Sequence, residues 1–251
     1  MKFHELDLDT RILSAVDELG FTECTPVQKE TFAHTLSGRD VYVQSQTGTG
    51  KTAAFIITIY QQFLKGNLKP ARAIVIAPTR ELAVQIEQDA RRLGKHLPFT
   101  LGTIYGGVGY RAQEDMLRNK VDLIIGTPGR ILDFAGSKKL SFKDMGIIVI
   151  DEADRLFDMG FYPDIRKVFR KALPPQERMT MLFSATLSTR VRHLAWEFMN
   201  DPAEVAITPE KVTVEEITQE LYHVGAGEKM ALLLGILRKE QPETSLIFTN
   251  T

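Results

Sequence analysis

The sequence predicts an α/β fold, a mostly parallel sheet with helices on both faces. Short β-branched runs recur along the chain, and the segments between them repeat apolar residues at helical spacing, which is the alternation of strand, helix and strand. Nearly every run is followed by a polar or glycine-containing cluster, and parallel sheets place ligands beyond the carboxyl ends of their strands.

The first run, "DVYVQS", leads into "SQTGTGKT", and "KTAAFIITIYQQFLK" then has the periodicity of a helix. "RAIVIAP" is the second strand, followed by "PTREL" and the helical "RELAVQIEQDARRLGKH". "FTLGTIY" ends at Gly106 and Gly107, "VDLIIGT" at "TPGR", "GIIVIDEA" at "DEAD" and "MTMLFSAT" at its own "SAT". From Asn200, "NDPAEVAITPEKVTVEE" mixes proline, acids and short apolar pieces, as a last edge strand and a linker would. These signals divide the chain into a first domain over 1–208, a linker over 209–217 and a further piece over 218–251. In that piece "ITQELYHV" and "SLIFTNT" read as strands flanking the helix "EKMALLLGILRKE". A strand, a helix and a strand cannot close a core. The piece is expected to be the truncated beginning of a second domain, whose open edges pack on the first, swap between chains or stay mobile.

Bulk composition narrows the function classes. The chain has 251 residues, 43% of them apolar and 25% charged, which excludes a disordered or collagen-like protein. With 31 basic and 32 acidic residues there is no overall basic field, so a nucleic-acid partner has to be met by a local patch. One cysteine, Cys24, cannot form an internal disulfide, and the five histidines show no metal-ligand spacing. A reducing, cytoplasmic setting is expected, without a signal peptide and without contact with a membrane.

The chemistry-bearing residues start in "SQTGTGKT". Gly48 and Gly50 let backbone N–H groups turn inward around phosphate oxygens, and the helix starting near Lys51 adds its positive end. Lys51 reaches β and γ phosphates in such a loop, and the Thr52 hydroxyl can ligate Mg²⁺. The strict P-loop pattern wants glycine where this chain has Ser45, so alone the motif divides evenly between a phosphate loop and an ordinary strand-to-helix turn. "GTGKTA" also fits a dinucleotide fingerprint, but that fingerprint requires an acid about twenty residues on. No Asp or Glu occurs between Lys51 and Arg80.

"GIIVIDEAD" poses a second question, because an apolar strand surfaces directly into three acids. A strand-end acid a hundred residues after a P-loop lysine is what a magnesium-dependent NTPase needs. Asp151 would hold Mg²⁺ together with Thr52, and Glu152 would orient or deprotonate the attacking water. The alternative is that these acids cap the following helix.

With "TGTGKT", "PTREL", "TPGR", "DEAD" and "SAT" in this order, the sequence resembles the DEAD-box ATP-dependent RNA helicases and, among them, the bacterial RhlB-type branch. The resemblance implies a RecA-like P-loop NTPase domain over residues 1–208 and the start of a second one after it. It implies ATP and Mg²⁺ as cofactors, with Ser45, Gln46, Thr47, Gly48, Thr49, Gly50, Lys51 and Thr52 around the phosphates. "GFTECTPVQ" resembles the family's Q motif, in which Phe21 stacks on adenine and Gln28 reads its edge; Phe3 matches the upstream aromatic. RNA would lie, by its sugar-phosphate backbone and without sequence preference, on Pro78, Thr79 and Arg80, on Gly106 and Gly107, and on Thr127, Pro128, Gly129 and Arg130. Asp154, Ser184 and Thr186 match the segments that couple nucleotide state to RNA binding. The implied activity is RNA duplex unwinding driven by ATP hydrolysis in the full-length protein. The 251 residues alone are expected to bind nucleotide and hydrolyse it poorly. A nucleotide-gated RNA clamp with little catalysis is the alternative, and a DNA- or protein-directed motor a third.

Overall fold

The structure is a computed structural model that describes residues 1–207, 220–225 and 227–249. It divides into two compact units, Met1–Pro209 and Glu210–Thr251. The first unit is built on seven strands: β1 (Val41–Gln44), β2 (Ala73–Ile76), β3 (Leu101–Ile104), β4 (Leu123–Gly126), β5 (Ile147–Ile150), β6 (Met179–Ser184) and β7 (Ala203–Ala206). All pair in parallel, in the order β3-β4-β2-β5-β6-β1-β7. The six apolar runs and the edge strand legible in the sequence are these seven.

Period-two alternation splits each inner strand between two cores. Ile147 and Val149 of β5 face one core while Ile148 and Ile150 face the other; Met181 and Leu182 of β6 divide the same way. The first core is covered by α1 (Thr10–Glu18), α2 (Pro26–Thr35), α3 (Lys51–Lys65) and α4 (Arg80–Leu93). The second is covered by α5 (Tyr110–Arg118), α6 (Pro128–Gly136), α7 (Ala153–Asp158), α8 (Tyr162–Lys171) and α9 (Thr189–Phe198). Strands β2, β4, β5 and β6 are therefore buried at every position, whereas the edge strand β7 alternates buried and exposed.

Helix boundaries follow local chemistry. Thr25 caps α2, accepting from Gln28 N–H while the Gln28 side chain accepts from Thr25 N–H, with Pro26 in the first helical position. Gly66 ends α3 at φ 65°, its N–H donating to the carbonyls of Gln62 and Phe63. At the other end of the sheet, the buried Asp40 carboxylate just before β1 accepts from Thr180 N–H at 2.7 Å and Asn200 N–H at 2.9 Å. Arg178 supplies the nearby positive charge and donates to the carbonyls of Leu173 and Phe198.

In the second unit, α10 (Lys229–Glu240) is the helix the sequence predicts, and it has no buried residue. The flanking strands do not form among the described residues: 220–224 and 245–249 are irregular. A strand needs a hydrogen-bonding partner, and apolar β-propensity without one does not make a ladder. Residues 209–217, expected as a linker, lie outside the described residues.

Candidate functional site

Parallel strands bring the clusters after them to one rim. After β1 the loop 45–50 turns on Gly48 and Gly50, at φ 79° and 93°, a region side chains rarely tolerate. Gly50 is constrained twice, because a Cβ there would lie 2.5 Å from Gln28 Nε2. Ser45 Oγ and Thr49 Oγ1 lie 2.5 Å apart, and Thr49 donates to the Gln46 carbonyl at 2.8 Å. Lys51 opens α3 almost fully buried, its Nζ donating to the Ser45 carbonyl at 2.9 Å. The ammonium thus points into the loop, toward the space a phosphate would fill.

Asp151 follows β5, which is separated from β1 by β6 alone. It is 3% exposed, and burial pushes its carboxyl up to about 6, although the neighbouring Lys51 charge and the hydrogen bond from Glu152 N–H (2.9 Å) pull the other way. A buried carboxylate crowded by the acids Glu152 and Asp154 fits a cation in addition to the charge that Lys51 supplies. Among the described residues no group of three or more His, Cys, Asp or Glu could hold a metal. One carboxylate and one hydroxyl are the donor set of Mg²⁺ that keeps water and phosphate oxygens as its other ligands.

Glu152 takes φ 47° and ψ 53° at the start of α7, where it makes no side-chain capping bond; its carboxylate pairs with Arg155 at 3.2 Å. Capping therefore does not account for Glu152. Ser184 lies between the two halves of the site: its carbonyl accepts from Ser45 N–H at 3.0 Å and its hydroxyl from Asp154 N–H at 3.3 Å. Thr186 Oγ1 donates to Asp154 Oδ2 at 3.5 Å, at the limit of a hydrogen bond.

A single cleft of about 760 Å³ is lined by Thr47, Gly48, Gly50, Lys51 and Thr52, by Asp151 and Glu152, and by Phe21 and Gln28. Phe21 is 38% exposed and stacks on buried Phe3, with ring centroids 6.3 Å apart. Gln28 is 4% exposed, with Oε1 accepting from Thr25 N–H at 2.9 Å and Nε2 donating to the Gly50 carbonyl at 3.1 Å. One amide hydrogen and one lone pair remain for a base edge, so any reading of adenine by Gln28 is tied to the shape of the phosphate loop. Ser45, Gln46 and Thr49 shape the loop without lining the cleft.

Strands β3, β4 and β2 are neighbours, which gathers the three clusters matched to RNA binding on one side of the rim. Pro78 is buried, and Thr79 caps α4 by accepting from Leu82 N–H at 3.2 Å while also lining the nucleotide-sized cleft. Arg80 lies over the Tyr105 ring at 4.9 Å and beside Gly107, which like Gly106 is exposed. Thr127 N–H donates to the Ile104 carbonyl at 3.1 Å, and Pro128 and Gly129 begin α6. Arg130 lies over Tyr110 at 5.3 Å and Phe134 at 5.9 Å, with its Nη1 buried and unpaired among the described residues.

Several contributors escape a reading of motifs. Glu81, Gln85, Asp89 and Arg92 line the cleft from α4; their spacing of four, four and three marks one helix face. Arg155 lines it too, but nothing in the sequence singles it out. Tyr105, beneath Arg80, and Gln113, which bonds the backbone around the glycine loop, have no motif signal either.

Comparison with known proteins bears on the family and the fold. The DEAD/DEAH box helicase family model matches residues 25–194. The chain is 44% identical over 99% of its length to the ATP-dependent RNA helicase RhlB of Pseudoalteromonas atlantica, covering 60% of that protein. It is 46% identical over its whole length to the protein of the same name from Pasteurella multocida, again covering 60%. Among solved structures, a DEAD box protein from the hyperthermophile Methanococcus jannaschii superposes with a TM-score of 0.77 at 31% identity, over 95% of this chain and 63% of that one. A hypothetical ATP-dependent RNA helicase from Sulfolobus tokodaii gives 0.73 at 34% identity, over 80% of this chain and 57% of that one. The chain thus spans about three-fifths of the length of the curated relatives it matches.

Proposed function

Because the chain belongs to the DEAD/DEAH box helicase family, we propose that it is the nucleotide-binding part of an ATP-dependent RNA helicase, working with Mg²⁺ in a reducing, cytoplasmic setting. The observation that carries this reading is the meeting of Lys51 and Thr52 with Asp151 and Glu152 in one cleft, with Phe21 and Gln28 at the same cleft. Lys51 and the N–H groups of the Gly48–Gly50 turn bind the triphosphate, and Phe21 stacks on the base. Thr52 and Asp151 would hold Mg²⁺, which would polarise the phosphate oxygens. Glu152 orients the attacking water and accepts its proton.

RNA lies across the rim on Thr79, Arg80, Gly106, Gly107, Thr127, Gly129 and Arg130, contacts that engage phosphate and sugar and carry no base information. Coupling runs through Asp154, Ser184 and Thr186, since one serine touches both the strand of the phosphate loop and the helix that follows the acids. Residues 218–251 are read as the beginning of a second RecA-like domain, and the whole protein as one that unwinds RNA duplexes.

The test is ATP hydrolysis by the longest natural form of the protein with and without RNA, beside binding of a fluorescent ATP analogue. RNA stimulation is expected. Lys51→Ala removes a charge-assisted contact of about 1.5–3 kcal/mol and should weaken nucleotide binding by roughly ten- to hundredfold. Unchanged nucleotide affinity in Lys51→Ala would sink the reading; nucleotide binding without any RNA effect would leave a different NTPase.

A further inference from the structure

We propose that Gln113 is a positioning residue for RNA: its side-chain amide holds the glycine loop after β3 in the shape that receives a phosphate. The proposal rests on the RNA-binding reading of Gly106, Gly107 and Arg80 given above.

Among the described residues β3 is an edge strand, and the residue beyond it has no neighbouring strand on its outer side. Tyr105 is that residue, and Gln113 supplies what a strand would. Tyr105 N–H donates to Gln113 Oε1 at 3.1 Å, and Gln113 Nε2 donates back to the Tyr105 carbonyl at 3.2 Å. A primary amide that both accepts from and donates to one residue reproduces the two-bond exchange of a paired strand position. The same Nε2 reaches the Gly109 carbonyl at 3.3 Å. One amide therefore ties both ends of the segment Gly106–Val108.

That segment has little else to define it. Gly106 and Gly107 are exposed, Gly107 sits at φ 81°, and Gly109 begins α5 with no side-chain capping bond. Two adjacent glycines lose more conformational entropy on ordering than any other pair. Without a clamp the loop would sample many shapes, and each bound phosphate would have to select one. Gln113 is 7% exposed, so its amide is largely shielded from water while its backbone partners are half-buried or exposed. The clamp also acts on Arg80: it fixes the backbone of Tyr105, and the Tyr105 ring carries the Arg80 guanidinium at 4.9 Å. The side-chain bonds of Gln113 go to the backbone on either side of the glycines, at Tyr105 and at Gly109, and none goes to a residue of the core.

The experiment compares wild type with Gln113→Glu and Gln113→Leu. The first keeps size and the acceptor for Tyr105 N–H but loses both donors; the second loses all three bonds. Three quantities are read: affinity for a single-stranded RNA by fluorescence anisotropy, affinity for a fluorescent ADP analogue, and the thermal midpoint. Loss of at least tenfold in RNA affinity, with ADP affinity within twofold and a midpoint within a few degrees of wild type, is the expected result for Gln113→Glu. RNA affinity equal to wild type in both variants overturns the proposal while leaving the RNA reading intact. Parallel loss of RNA binding, ADP binding and folded protein overturns it in favour of a structural role. Absence of RNA binding by wild type removes the reading beneath it, and the proposal with it.

Discussion

Glu152 is held in the left-handed backbone region, at φ 47°, by residues on both sides of it rather than by any preference of its own. Such a conformation costs a non-glycine residue about 1–2 kcal/mol. Glycine there should raise stability by roughly 1 kcal/mol, less what the exposed Arg155 pair contributes, and abolish hydrolysis. Glu152→Gln, which keeps the shape, should lower turnover by about 10²–10⁴ with nucleotide affinity retained. Thermal denaturation of the glycine variant and single-turnover hydrolysis by the glutamine variant check the two halves. The sequence disclosed the acids because charge directly after a buried strand needs a reason; it did not disclose the strain, since no local signal marks a left-handed glutamate. Gln113 was illegible for a related reason. A glutamine in a helix reads as solvated until the loop it faces is seen.

Strands and helices divide differently in what they reveal. The continuous runs "AIVI" and "IIVI" announce strands covered on both sides, and they form β2 and β5. Equally apolar "SLIF" forms no strand among the described residues, because pairing is a property of the neighbourhood and not of the run. Asp40 belongs to this scale, since it joins β1 to the start of β6 and to the turn after α9. Burial pushes its carboxyl up to about 6 from 3.8, against two backbone N–H bonds and the Arg178 charge. The folded protein then holds the proton more tightly than the unfolded chain. Asp40 favours the fold most fully below pH 3.8, and that contribution is lost as pH rises to about 6. At about 1.4 kcal/mol per pKa unit, the loss is about 3 kcal/mol. Asp40→Asn should flatten this part of the stability profile in urea denaturation followed from pH 4 to pH 7. It should also lower stability at neutral pH, because an amide nitrogen would face a backbone N–H and Arg178 would lose its counter-charge.

At the scale of the whole molecule, order along the chain was the most informative signal. Each cluster alone is ambiguous, but a parallel sheet brings every strand's carboxyl end to the same rim, so their sequence fixes a site. The cleft's α4 face was visible only as periodicity, and the second unit, read as a helix between two strands too small to close a core, forms only the helix among the described residues. The chain spans about three-fifths of its relatives, and P-loop NTPases commonly complete the γ-phosphate site with an arginine supplied from outside the phosphate loop. Such an arginine is worth roughly 10³–10⁵ in rate. A polypeptide of these 251 residues should therefore bind ADP and ATP yet turn over far more slowly than a longer form; multiple-turnover assays of both, with RNA, decide it.

The seven-stranded sheet is also a partition. Helices α1 to α4 and helices α5 to α9 press on opposite sides of it and belong to separate apolar slabs. Drift in one slab can be absorbed without retuning the other, so the two faces are free to diverge at different speeds among descendants of one ancestor. What cannot drift independently is the wall between them, because β2 and β5 give alternate residues to the two slabs and any shift of their backbone is felt on both sides at once.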